Sequence, residues 1–301
     1  MHKKNNVQDY LKAMRLNRWP RSFSIIVGTL SALFVTGMQN KNPLTLVLNF
    51  VLAFIATFLI CIANYIINEI VDAPFDRYHP VKQNRPVASG NVSIPFLVFI
   101  ALIFVLSAFA LSCYYFNLKL VFSLLLLLIM GFLYNIKPIR LKDIIYIDAI
   151  SESANNPIRF LIGWYAIVPN KNPSYLYLIG WWAIGAFLMF GKRLSEKKIF
   201  KEDEAKYYRK SLAIYTESSL ARSMTISSML FLVSFFFIII KKLNLYTALL
   251  LPVSIIYFIW ILREAWKGKY LIDEPEVILK QIPFIILLAI LLAFTILMLV
   301  S

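Results

Sequence analysis

The sequence predicts an all-α, polytopic membrane protein with nine transmembrane helices around a central cavity opening to the cytoplasmic side. Three observations carry that expectation. Hydrophobic residues make up 60% of the 301-residue chain, only 16% are charged and the mean hydropathy is +0.71, a balance foreign to soluble domains. The apolar residues gather in runs near the length a helix needs to cross a bilayer, and nothing alternates as barrel strands do. The remaining charges fall very unevenly between successive loops.

Taken in order, the head at 1–21 contains DYLKAMRLNRWPRSF and reads as an amphipathic interfacial helix anchored at the headgroups by Trp19 and Arg21. Most of its charges read as anchors, while Arg15 and Arg18 are placed to turn inward toward a phosphate. No secretory signal is expected, because the polar head is long and no small-residue cleavage site follows. Candidate spans follow at about 22–38, 44–70, 93–115, 119–135, 144–168, 174–191, 224–240, 244–262 and 281–300. Nine spans put the termini on opposite sides and make the loops alternate. One side collects the basic residues of the head, of 77–85, of 137–142, of 192–222 and of 263–280, whereas the other holds only Lys41, Lys119, Lys171, Lys241 and Lys242. The positive-inside rule makes the crowded side cytoplasmic, N-terminus included, as in a plasma membrane of bacterial type. All sixteen acidic residues lie on that side or in helices reaching it, so the chemistry belongs there. The net charge of +15 therefore follows membrane sidedness and does not mark a nucleic-acid face. Cys61 and Cys113 sit inside apolar runs and read as small hydrophobes.

The end of the second span is the stretch around which this domain, 1–301, is organised: NYIINEIVDAPFDRYHPVKQNRPVASG, from Asn64 to Gly90. Asn68, Asp72 and Asp76 recur every four residues and Glu69 lies three before Asp72, so on a helix all four share roughly one face. Such a ladder of oxygen ligands suits a hard divalent cation such as Mg²⁺, which keeps several waters and takes substrate phosphate oxygens in its other positions. His79, Lys82 and Arg85 follow at once, cations able to grip phosphate. The bland alternative is a solvated acidic cap. Pro74 is expected to interrupt the helix and to leave Asp76 in a cap loop at 71–92.

The fifth span, DIIYIDAISESANNPIRFLIGWYA, is the least apolar, and ionisable residues at membrane depth usually face a bundle interior and carry function. Asp148, Glu152, Asn155 and Arg159 follow at steps of four, three and four, one polar stripe on a helix. A structural ion pair of Arg159 with Glu152 or Asp148 is the competing reading. A second cap is expected at 192–223, where Lys192, Arg193, Arg209 and Lys210 are best placed to reach phosphate. Aromatic residues in the spans read as packing or interfacial belt, Tyr134 and Tyr215 excepted. The acidic stretch from Glu274 to Glu276 reads as a helix start before the ninth span.

These residues resemble the UbiA superfamily of intramembrane prenyltransferases. NEIVDAPFD is similar to that superfamily's N-D-x-x-D-x-x-x-D, with Glu69 in place of its first aspartate. HPVKQNRPVASG, FGKRLSE and RKSLAIYT resemble elements of one branch, the decaprenyl-phosphate phosphoribosyltransferases, as do Arg159 with Gly163, and Tyr134 with Lys137. The resemblance implies nine helices, two acidic motifs and Mg²⁺-dependent transfer of 5-phosphoribose from phosphoribosyl pyrophosphate to a polyprenyl phosphate. Asp72, Asp76, Asn68 and Glu69 would hold the metal, Lys82, Arg85, Lys192 and Arg193 would share the diphosphate charge, and Asp148 or Glu152 would stabilise the ribose carbon or a second metal. Arg159, Arg209 or Lys210 would bind the sugar phosphate or the lipid phosphate. Two alternatives stay open. One is a prenyltransferase that ionises a polyprenyl diphosphate at the same site for an aromatic or lipid acceptor; the other is a transporter, against which a one-sided site and the absence of an internal repeat both count.

Overall fold

A computed structural model describes residues 6–22, 24–37, 42–77, 82–199, 210–240 and 245–267. His79, Arg209, the stretch from Glu274 to Glu276 and the ninth expected span lie outside the described residues, as does the side chain of Lys82. Every regular element among the described residues is helical. Five helices among the described residues are long and apolar enough to cross a membrane: Pro43–Asp76, Ile94–Tyr115, Leu118–Asn135, Tyr175–Lys198 and Glu217–Ile239. Their outward faces are apolar, with Phe99, Leu102 and Leu106 of the second more than half exposed, a surface that water does not tolerate over such an area.

The chain packs as two compact units, Met1–Leu141 with Ile158–Asn172, and Lys142–Pro157 with Pro173–Ser301. The first contains α1 (Val7–Ala13), α2 (Trp19–Ser22), α3 (Ile25–Thr36), α4 (Pro43–Asp76), α5 (Ile94–Tyr115) and α6 (Leu118–Asn135). It also takes in most of α8 (Asn155–Ile167). The interfacial head is not one helix: it breaks at Arg15, whose φ of 50° is left-handed. Its first piece is latched onto α5 by the Tyr10 hydroxyl, which accepts from the Ser93 amide at 2.9 Å. Tyr10, Ala13 and Met14 then share a core with Ile62, Ala63, Ile66 and Ala73 of α4 and with Val87, Ala88 and Val92 of the following cap.

Helix α4 has 34 residues, about 50 Å at 1.5 Å each, well beyond a hydrocarbon core of about 30 Å. Its last turns therefore project past the apolar layer and carry the acidic ladder there. Contrary to the expectation, Pro74 does not interrupt it and Asp76 remains helical. The proline stands two residues from the helix end, so only one backbone bond is forgone, and the Arg77 amide closes the last turn on Ala73 O at 3.3 Å.

A close crossing joins α3 to α8. A β-carbon on Gly28 would lie 2.0 Å from the Phe160 carbonyl oxygen, and one on Gly163 2.0 Å from that of Ile25; only glycine permits both approaches. The Thr29 hydroxyl donates to Gly163 O at 3.2 Å across the same contact. Gly28→Ala is therefore expected to lower the thermal midpoint in detergent, at a cost of at least about 1–3 kcal/mol. The control is Gly180→Ala, whose methyl meets Ser234 Cβ at an ordinary 3.5 Å and should leave the midpoint unchanged.

The second unit contains α7 (Ile147–Ser153), α9 (Tyr175–Ile199), α10 (Lys210–Ile214), α11 (Glu217–Ile239) and α12 (Leu245–Trp266). Its core joins Ala149 of α7, Phe187 and Leu194 of α9, Tyr215, Leu220 of α11 and Phe258 and Ile261 of α12. The expected fifth span is two helices, since α7 ends at Ser153 and α8 starts at Asn155. Pro157 cannot donate to Ser153 O and its ring crowds that carbonyl, which ends the first helix there. Within the stretch 192–223, α9 continues to Ile199 and α11 begins at Glu217, behind a capping box of Thr216 and Ser219.

Candidate active site

Asn68, Glu69, Asp72 and Asp76 lie on one continuous helix, α4, and each of the three carboxylates faces a guanidinium. Glu69 is 2% exposed and Arg15 contacts it through two nitrogens, Nε at 3.0 Å. Asp76 accepts from Arg85 at 2.6 Å, and Arg140 stands 3.6 Å from Asp72. Asn68 donates to Asn135 Oδ1 at 2.7 Å, and Asn135 is itself held by Gly131 O at 2.9 Å. Arg15 and Arg85, expected to face substrate phosphate, thus rest on the metal-ligand candidates.

Arg140 and Asn135 are additions that sequence reasoning missed. Arg140 had registered only as one more charge on the basic side. In the fold it stands at φ 32°, is 8% exposed and stacks over Phe75 with its carbon 4.5 Å from the ring centroid. Together with Val71, Pro74, Phe75, Ile136 and Lys137 it lines a cleft of about 430 Å³ beside the ladder. Tyr134 is half-buried and Lys137 exposed.

Among the described residues no three acidic, histidine or cysteine side chains converge to cage a metal. Mg²⁺ needs no such cage, since one or two carboxylates and substrate phosphates suffice. The ladder fits that demand: its donors are oxygens, and Glu69 Oε1 is buried without a hydrogen-bond partner.

In the second unit a buried ionic cluster forms around Arg193, whose side chain is fully buried. It reaches Asp148 at 2.8 Å, Glu196 at 2.9 Å and Glu152 at 3.2 Å. The structure therefore corrects the reading of Arg193 as a phosphate ligand: its donors point at carboxylates. Arg193, rather than Arg159, is the guanidinium that these helix-5 carboxylates meet. Asp148, wholly buried, also accepts from the Tyr215 hydroxyl at 2.6 Å and from Ser211 at 3.1 Å. Burial, and then the Asp148 charge, push the Tyr215 hydroxyl far above its usual range, so the proton stays on Tyr215 as the donor. Ser211 and Glu196 entered the sequence reading only as members of RKSLAIYT and FGKRLSE, with no role of their own, although Glu196 stands three residues from Arg193 on one helix, a spacing that pairs charges. Glu152 is partly exposed at 26%, Lys192 half-buried and Lys210 exposed. Arg18 and Arg159 belong to the first unit, Arg159 placing a nitrogen 3.6 Å from Cys61 Sγ.

Against known sequences, the model of the UbiA prenyltransferase family matches residues 25–271. The chain belongs to this family. That makes this UbiA protein a membrane-embedded transferase. It is 26% identical to the decaprenyl-phosphate phosphoribosyltransferase of Mycolicibacterium smegmatis over 226 residues, 75% of this chain and 68% of that protein. The protein of the same name from Mycobacterium tuberculosis is 26% identical over 226 residues, covering 74% of this chain and 71% of that one. Among solved structures, a UbiA homologue from Archaeoglobus fulgidus bound to DMAPP and Mg²⁺ superposes with a TM-score of 0.72 at 18% identity, covering 97% of this chain and 99% of that one. The fold is shared with that structure.

Proposed function

We propose that this protein transfers 5-phosphoribose from phosphoribosyl pyrophosphate to a polyprenyl phosphate and releases diphosphate, on the cytoplasmic side of the membrane. One observation carries the reading: an oxygen ladder at the projecting end of α4 with Arg15, Arg85 and Arg140 laid against it. Carboxylates and guanidiniums in alternation are the complement of a metal diphosphate. The names of the mycobacterial relatives support the phosphoribosyl branch.

In the reaction an oxygen of the lipid phosphate bonds to ribose C1 as the bond from C1 to the diphosphate oxygen breaks. Asp72, Asp76, Glu69 and Asn68 would hold Mg²⁺, which would neutralise the leaving diphosphate as a Lewis acid. Arg15, Arg85 and Arg140 are poised to exchange carboxylate oxygens for phosphate oxygens as substrate enters, charges fixed in place before the bond breaks. Lys82 adds a cation to the same loop. The lipid phosphate is already anionic and needs no strong general base, in keeping with a chain that holds only two histidines. In the second unit Asp148 positions the 210–215 segment, leaving Glu152 as the carboxylate with room for substrate and Lys192 and Lys210 as its phosphate-facing cations.

The test is an assay of purified protein in detergent with Mg²⁺, offering labelled phosphoribosyl pyrophosphate with polyprenyl phosphate, and in parallel labelled polyprenyl diphosphate with aromatic acceptors. A Mg²⁺-dependent phosphoribosyl lipid is the expected product. Prenyl transfer in the second arm would keep the ladder and reject the sugar donor.

A further inference from the structure

Three asparagines join α4 to α6 at the start of the ladder. Asn64 and Asn68 stand one turn apart on α4, while Leu127, Gly131 and Asn135 follow at steps of four on α6. The Asn64 amide nitrogen donates to Leu127 O at 2.9 Å, and a β-carbon on Gly131 would lie 2.1 Å from Asn64 Oδ1. The two helices are therefore in contact one turn below the ladder, which sets Asn68 opposite Asn135. There Asn68 Nδ2 donates to Asn135 Oδ1 at 2.7 Å, and Asn135 Nδ2 donates to Gly131 O at 2.9 Å. Asn135 is 4% exposed, so bulk water does not make good a bond lost here.

The bond to Gly131 fixes the sense of the one to Asn68. A backbone carbonyl only accepts, so Asn135 has to turn its nitrogen to Gly131 and its oxygen to Asn68. Asn68 must then give its nitrogen to Asn135, and its own oxygen takes the opposite arm of the planar amide. Flipping one amide alone sets two acceptors against each other: Asn68 Oδ1 on Asn135 Oδ1, or Asn135 Oδ1 on Gly131 O. For a ligand of Mg²⁺ this sense matters, because the ion takes oxygens and an amide nitrogen is only a donor. We propose that Asn135 is a positioning residue of the transfer reaction, one that holds the Asn68 amide with its oxygen, and not its nitrogen, available to the cation. The inference rests on the proposed Mg²⁺ ladder and adds to it a residue that acts only through Asn68.

The experiment measures binding of Mn²⁺, which shares the oxygen preference of Mg²⁺, to the purified full-length protein by equilibrium dialysis with inorganic diphosphate present. Asn135→Leu is expected to weaken Mn²⁺ binding about five- to tenfold, the worth of one oriented hydrogen bond. In a protein carrying Asn68→Asp the same Asn135→Leu change should not weaken binding, because a carboxylate offers oxygen on both arms. A loss of equal size in the two backgrounds would mean that Asn135 only packs the helices, and overturns the inference. Each variant is first shown to be monodisperse, and Asn135→Ala takes the place of Asn135→Leu if the latter is not. Binding that Asp72→Asn abolishes and Asn135→Leu leaves unchanged keeps the ladder and rejects the role of Asn135. A wild type that binds no Mn²⁺, or an Asp72→Asn variant that binds it as wild type does, overturns the ladder and this inference with it.

Discussion

Asp72→Asn is expected to lower the transfer rate by at least about 10²-fold while the protein stays folded. The two side chains have the same shape, and the amide of an asparagine can still accept from Arg140, which stands 3.6 Å from Asp72, so the variant is expected to remain folded. The charge removed is, by contrast, one that a metal and its diphosphate would need. Initial rates across a Mg²⁺ titration, alongside size-exclusion profiles, separate the two effects. A variant that keeps wild-type rates at all Mg²⁺ concentrations would remove Asp72 from the metal site.

Arg193→Met should cost the protein its fold. The guanidinium is fully buried against Asp148, also fully buried, and Glu196, which is 1% exposed. Taking one partner from such a cluster leaves charges behind, at a cost of about 3–5 kcal/mol, a large share of the roughly 5–15 kcal/mol that holds a typical protein together. The effect should spread to the 210–215 segment, because Ser211 and Tyr215 both donate to Asp148. The expected readout is little or no monodisperse protein after detergent extraction. Neutralising the carboxylates as well, in Arg193→Met with Asp148→Asn and Glu196→Gln, should recover part of the yield. A single Arg193→Met variant as stable as wild type would show that the cluster contributes nothing to the fold.

The sequence determined the class of the fold and the position of the ladder. Long apolar runs have one comfortable solution in a bilayer, and four side chains at helical spacing share roughly one face wherever that helix goes, so the grouping of Asn68, Glu69, Asp72 and Asp76 on α4 was legible from local geometry. The family resemblance, read from the same motifs, agreed with the family to which the chain belongs. What escaped was pairing. Arg15 meets Glu69 across 54 residues of sequence and Arg193 meets Asp148 across 45, and no spacing rule reaches that far. Arg193 read as a phosphate ligand because a basic residue at a helix end normally faces solvent; only packing against α7 and Tyr215 reveals that its side is enclosed. The break at Ala154 was missed as well, since 144–168 reads as one span with one polar stripe while the structure divides it into α7 and α8; periodicity does not say which unit each half joins. Chain-local periodicity fixes which residues share a face, while the tertiary fold alone fixes which opposite charge each of them meets, because ion pairing depends on distance through space.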